Sequence, residues 1–386
     1  MRAWQPSAFV PPDAATLLRA LTDDAALAAW AASRPDPAWA DWLRGQGLAA
    51  LVCHSLRRTG AFGRLPTVLA QPLAAAYYRA AADAELHTRE LDAVLQALAA
   101  AGVAPVLFKG AALAHLVYPD PACRPMGDLD LWLTAAEMPA AIAALQAAGY
   151  RQHVKDARPV ELQARREGEI QLAGTRPGQG LVELHYGVFA GEWLHRTAAV
   201  DAAGLAARVM SVTVAGRPAR TLAPEDAIIQ LAVHLAVNHQ MSYPGVRGLL
   251  DVCLLAHSHP PDWAAVSRRA RAWRVGVAVW QVLSLADELL GLPGSASALA
   301  ELRPAGPRRG LLARFVNPAS LLAGRDITGG PARFAYQLLL VDRARDAARL
   351  LGRALWPEEA WLVARYGRAG WRTRGAHLLS AVQGRI

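Results

Sequence analysis

Two aspartates one residue apart, Asp128 and Asp130, open an otherwise apolar run at residues 128–133, Asp-Leu-Asp-Leu-Trp-Leu. In an extended strand alternate side chains share a face, so both carboxylates point the same way with Cα atoms ~6–7 Å apart. At that separation the side chains converge on one or two hard cations, and all-oxygen ligands of this kind suit Mg2+ or Mn2+. Two such ions ~3.5–4 Å apart activate an attacking oxygen and neutralise a leaving pyrophosphate, which is the chemistry of phosphoryl and nucleotidyl transfer. A third carboxylate is wanted, and Glu183 is the candidate, because residues 181–188 read as a strand able to pair beside residues 128–133. Glu169 is the reserve. Two aspartates on an exposed edge strand are the bland alternative, but carboxylates at the head of an apolar strand are costly without a counter-ion. The loop just before them carries Arg124 and Gly127.

Lys109-Gly110 supplies a second half. Residues 103–108 form a short apolar run suited to a buried strand, and helical spacing resumes at Ala111, so the segment reads strand, tight turn, helix. A glycine there lets the backbone approach a phosphate, the helix N-terminus offers unpaired N–H groups, and Lys109 adds a full charge. Of the 41 basic side chains only two are Lys, at 109 and 155, so a Lys here stands against an Arg-biased background and acts as a compact point charge.

The string LFKGAALAHLVYPDPACRPMGDLDLWL, with VELHYG further on, resembles the uncharacterised bacterial nucleotidyltransferases of the DNA polymerase β superfamily, relatives of the abortive-infection-type toxin nucleotidyltransferases. The likeness is specific over residues 106–133, looser over 181–187, and extends in style to LAPEDAIIQLAVHL and GLLDVCLLAH. It implies that Asp128 and Asp130 hold metal ions, with Glu183 as third ligand or general base. It also implies that Lys109 and Arg124 grip nucleotide phosphates and that Gly110 permits close approach, with Gly127 in the same nucleotide-binding set. The family's Gly-Ser or Gly-Gly turn is here Lys-Gly-Ala, so the serine that often meets the terminal phosphates is missing.

The elements that must position these groups follow from periodicity. Residues 1–101 read as a helical N-terminal region, closing with an Ala-rich helix over 66–101. Residues 102–200 read as the nucleotidyltransferase core, with strands at 128–133, 150–154, 169–173 and 181–188, the last two as a hairpin around Arg-Pro-Gly-Gln-Gly180. Thr134 and Glu137 form a capping box for the next helix. Residues 201–386 read as a helical C-terminal domain forming the far wall of the cleft. The expected fold is therefore α+β, a polymerase β-like mixed sheet flanked by helices.

Other polar residues receive plainer readings. His234, Asn238 and His239 fall on a helix, where two histidines five apart do not share a face, so no metal site is expected there and a polar rim near the nucleotide is the lesser alternative. Arg247 and Asp251, four apart, read as an intrahelical ion pair. His185 is either a hydrogen-bonded structural histidine or a contact for phosphate or acceptor hydroxyl.

The net charge of +9 sits in residues 301–386, where fifteen Arg face six acidic residues, interleaved with Trp361, Tyr366 and Trp371. That pattern suits either a nucleic-acid backbone or a solvated helix face. Three cysteines without CxxC spacing indicate neither disulfides nor a zinc ribbon. No apolar stretch reaches the ~18–20 residues of a membrane span, and the N-terminus lacks a signal-peptide pattern, so a cytoplasmic address is expected. The function expected is transfer of a nucleoside monophosphate from a nucleoside triphosphate, ATP included, to an unidentified protein, peptide, tRNA or small-molecule hydroxyl. The competing readings are a catalytically silent nucleotide-binding regulator and a helical interaction scaffold.

Overall fold

The alternation at residues 128–132 becomes a strand whose two sides meet two different cores. The computed structural model describes residues 10–153, 168–242 and 244–382; Val154, at the end of an expected strand, and Lys155 lie outside the described residues. The framework is a long helix Thr67–Ala100 (α1), strand Val106–Leu107 (β1), helix Lys109–Leu116 (α2), strand Asp128–Trp132 (β2), helix Met138–Ala147 (α3), and strands Tyr150–His153 (β3), Glu169–Gly174 (β4) and Leu181–His185 (β5). Strands Met210–Val214 (β6) and Arg217–Thr221 (β7) follow, then helices Pro224–Val233 (α4), Gly245–Ser258 (α5) and Gly276–Leu290 (α6). Short helices precede α1 and further helices follow α6, so the molecule is α+β with a mixed sheet, as expected.

The seven strands run in the order β3-β4-β5-β2-β1-β7-β6. β2 pairs in parallel with β5, setting Asp130 opposite Glu183 and Trp132 opposite His185. β4 pairs antiparallel with β5, which places Gln171 opposite Glu183 and Glu169 opposite His185. The β4–β5 hairpin is the one that the turn chemistry around residue 180 predicts.

The hairpin β6–β7 lies inside residues 201–386, the region expected to be a helical domain. Its loop is Ala215-Gly216, both at positive φ (52° and 78°), the geometry of a tight two-residue hairpin normally signalled by Asn-Gly or Asp-Gly. Alanine hides that signal, and Pro218 within β7 argues against a strand on local grounds. Pairing of β7 with β1 overrides both.

One face of the sheet packs Leu129, Leu131, Leu133, Leu172, Val182 and Leu184 against Leu91, Val94 and Leu98 of α1 and Met138, Ala141 and Leu145 of α3. Thr134 and Glu137 bond reciprocally just ahead of α3, as the capping pattern predicts. The opposite face contributes Val106, Phe108 and Trp132 to a larger core. That core holds Ile228, Ile229, Val246, Leu249 and Val282 from α4–α6 together with Leu17, Leu18 and Trp42 from the N-terminal helices. The N-terminal and C-terminal helices therefore share buried surface, and the Trp42 indole donates to the Leu322 carbonyl at 2.8 Å. Among the described residues no helix is long and apolar enough to cross a membrane.

Leu131, fully buried beneath the acidic face, gives a direct stability test. Leu131→Ala should lower the unfolding free energy by about 2–5 kcal/mol through lost contacts and a residual cavity, read from denaturant midpoints, while Leu131→Met should cost less than about 1.5 kcal/mol.

Candidate active site

The site is assembled where β1 hands the chain to α2. Phe108 is extended, and Lys109 begins the helix with a left-handed φ of 51°, uncommon for a residue with a side chain. Helix α2 thus starts two residues earlier than its spacing implies, and the strained position is Lys109 rather than Gly110. The visible constraint on Gly110 is packing. A Cβ there would lie 2.9 Å from Arg124 Nη1 and 3.1 Å from Met126 Cβ, so a side chain would have to displace the Arg124 guanidinium and shift Met126 where the 124–126 loop closes over the turn.

Lys109 Nζ reaches Asp130 Oδ1 at 2.7 Å, and His185 Nε2 meets the same oxygen at 2.9 Å. His185 Nε2 also lies 3.6 Å from Glu183 Oε2, and its Nδ1 lies 3.7 Å from Glu169 Oε2. Gln171, directly opposite Glu183, donates its side-chain amide to that carboxylate. Burial alone would raise the pKa of Asp130, but Lys109 and His185 outweigh it and hold the carboxyl below its usual range. Glu183 is likewise lowered, burial being overcome first by its bond to His185. Lys109 is raised because Asp130, Glu183 and Asp128 outweigh its own burial. Asp128 goes the other way, pushed up to about 6 by burial and by repulsion from Asp130 and Glu183.

Such an acid-rich pocket suits a hard cation. Asp130, Glu183 and His185 each offer a ligand atom within 4.8 Å of the others. The remaining repulsion falls on Asp128, at the more open end of the same strand face, where a divalent charge would relieve it. The donor set therefore fits a divalent metal.

Arg124 is held from across the cleft. Its Nη2 and Nε contact Asp251 of α5 at 2.8 and 3.2 Å, and the Tyr118 hydroxyl donates to the same carboxylate at 2.7 Å. Sequence spacing points Asp251 only at Arg247; the fold makes it the post that ties the 124–126 loop to the helical wall. Arg124 and Asp251 line one cleft of about 430 Å³ together with Lys109, Gly110, Gly127, Asp128, Asp130, Glu169, Glu183 and Arg247. Asp128, Asp130, Glu183, Lys109, Gly110, Arg124 and Gly127, singled out from the sequence for metal or nucleotide binding, all border it, whereas the fully buried His185 does not.

The premise that His234 and His239 do not share a face fails. After α4 the helix loosens into a π-turn over His234–Asn238, with the His239 N–H donating to the His234 carbonyl at 3.0 Å. Residues five apart fall on different faces of an α-helix but align where the hydrogen bond spans five residues. His234 and His239 accordingly stand with Nε2 atoms 2.9 Å apart and rings perpendicular, lining the same cleft. Nothing in local composition marks the π-turn. Gln171 escapes a reading of the sequence for a simpler reason: it is identifiable only once β4 is registered against β5.

A family model described as uncharacterised nucleotidyltransferase matches residues 35–291. The chain belongs to that family, and the match spans the sheet, the acidic face and α4–α6. No curated protein and no solved structure matches the chain.

Asp251 offers a test of the cross-cleft tie. Asp251→Ala would leave the nearly buried Arg124 guanidinium and the Tyr118 hydroxyl unpaired and should destabilise the fold by about 3–5 kcal/mol. Equilibrium urea unfolding would measure it; a change under about 1 kcal/mol would place the pair effectively in solvent.

Proposed function

We infer that this chain transfers a nucleoside monophosphate from a nucleoside triphosphate to an acceptor hydroxyl, releasing pyrophosphate. The observation that carries the reading is the parallel register of β2 and β5, which sets Glu183 beside Asp130 on the face where Lys109 ends. Asp128, Asp130 and Glu183 are the residues that would hold Mg2+ or Mn2+, with His185 and Gln171 orienting them. The cation's contribution when bound is to neutralise charge on the triphosphate and to activate the attacking oxygen. Lys109 and Arg124 hold the donor phosphates, and Gly110 and Gly127 keep the turn and loop close enough for backbone contact. Family membership supports the reaction class.

For the acceptor we favour a macromolecule, on the strength of the basic, Trp-containing C-terminal region. The family match ends at residue 291, and beyond it lie helices Ala344–Leu355, Glu359–Tyr366 and Trp371–Val382. Trp356 and Trp371 stack edge to face at 5.4 Å with Trp371 80% exposed, and the Arg374 guanidinium lies 4.8 Å over the Trp356 ring. Exposed rings among arginines suit base stacking and phosphate contact, as in a tRNA end. A protein, peptide or small hydroxyl compound is the competing acceptor class, and a cytoplasmic setting suits all four.

A second reading draws on one specific contact. The Lys109–Asp130 ion pair occupies an oxygen that the cation needs, as expected of a triphosphate sensor that binds nucleotide without turnover.

Incubation with α-labelled triphosphates, Mg2+ or Mn2+ and a cell extract tests these together. Transfer of label with pyrophosphate release is expected, and Asp130→Asn should reduce it at least about a hundredfold, since even an outer-shell partner of a metal ligand costs roughly 10–100-fold. Metal-dependent nucleotide binding with no pyrophosphate released would favour the sensor. Lys109→Ala should weaken triphosphate binding while Mn2+ binding, followed by paramagnetic resonance, persists or tightens; loss of both would mean that Lys109 only supports the fold.

A further inference from the structure

The imidazole pair on the helical wall has no part in metal or phosphate binding as assigned so far. His234 and His239 sit among Leu231 and Leu235, on the side of the cleft facing the acidic sheet. Holding them together requires a π-turn, and the chain then passes through Gln240 and Met241, both at left-handed φ (52° and 57°). Side-chain-bearing residues in that region carry a conformational cost, and such residues cluster at functional segments. The Asn238 amide donates to the Ala190 carbonyl at 2.9 Å, anchoring the turn to the segment that leaves β5. The pair is thereby tied to the same strand that presents Glu183.

Its charge state narrows its use. The groups facing it are Lys109 from α2, Asp130 from β2, His185 from β5, Arg124 from the loop and Arg247 from α5. Partial withdrawal from water and then the Lys109 charge lower both histidines, His234 well below the usual imidazole range, while His239 keeps an exposed edge toward the cleft. A neutral pair is a poor clamp for phosphate, which the cations already serve, but a competent proton acceptor. The carboxylates are less free to accept a proton, because Asp130 is engaged by Lys109 and His185, and Glu183 by Gln171 and His185.

We propose that His234 and His239 form the proton relay that deprotonates the acceptor hydroxyl, a role that rests on the nucleotidyltransferase reading. The acceptor oxygen bonds to the α-phosphorus, the bond from that phosphorus to the bridging oxygen breaks, and pyrophosphate leaves with the electron pair. The hydroxyl proton passes to Nδ1 of the imidazole whose Nε2–H is shared. That shared proton moves to Nε2 of the second ring, which becomes the imidazolium.

The test compares wild type, His239→Gln, His239→Ala and His234→Gln in label transfer from α-labelled ATP to cell extract with Mg2+ or Mn2+, across acidic to neutral pH. Wild-type transfer should fall as pH drops through the pair's lowered pKa, because the protonated pair accepts no proton. The variants should lose about 10²–10⁴-fold in rate at neutral pH, retain only the acid limb set by Asp128, whose carboxyl is raised to about 6, keep ATP affinity within about twofold, and show native thermal unfolding. Free imidazole should restore transfer to His239→Ala, because His239 is exposed and the space its ring vacates is open to solvent. Variants that transfer at the wild-type rate, or imidazole that restores nothing, overturn the relay while leaving the transferase reading intact. A wild type that transfers no label overturns the transferase reading and the relay with it.

Discussion

Asp130 and Glu183 are almost wholly withdrawn from water, side by side on neighbouring strands. Uncompensated, each buried carboxylate costs several kcal/mol, and the architecture around them supplies compensation. Lys109 adopts a strained backbone to bring its ammonium to Asp130, His185 stands between the two acids, and Gln171 covers an oxygen of Glu183. Asp128 carries the unbalanced remainder, as its raised pKa records. A divalent cation would complete that balance, so binding and folding at this face answer to the same charge requirement.

The two sides of β2 explain how such a polar centre coexists with a stable sheet. Leu129 and Leu131 enter a dry core with α1 and α3, while the acids face a cleft whose far wall is helical. The wall is not a passive lid. Asp251 reaches across to Arg124 and Tyr118, so the loop preceding the aspartates is braced by a helix more than a hundred residues later. Because the N-terminal helices share the core of α4–α6, the wall is buttressed from both ends of the chain. That rigidity is what a site needs if charges are to be held in place before substrate arrives.

The basic C-terminal helices stand outside the matched family region yet pack near the segment after β5, through Arg353 to Glu192 at 3.4 Å. Arg353 thereby ties these helices to the short helix that begins at Glu192, a few residues beyond β5.

The sequence by itself determined the acid pair, its strand and the Lys-Gly turn, because period-two alternation and turn chemistry are local and survive without a fold. It also pointed to Glu183, since that residue's strand needed only a neighbour. It did not contain the pairing partners of those charges. The places of Gln171 and Glu169 depend on antiparallel register, that of Asp251 on a helix crossing, β6–β7 on a pairing that overrides Ala215 and Pro218, and the His234–His239 contact on a π-turn. In each case the deciding energy is a contact between residues far apart in the chain, or a backbone distortion such contacts sustain, and neither leaves a mark in local composition.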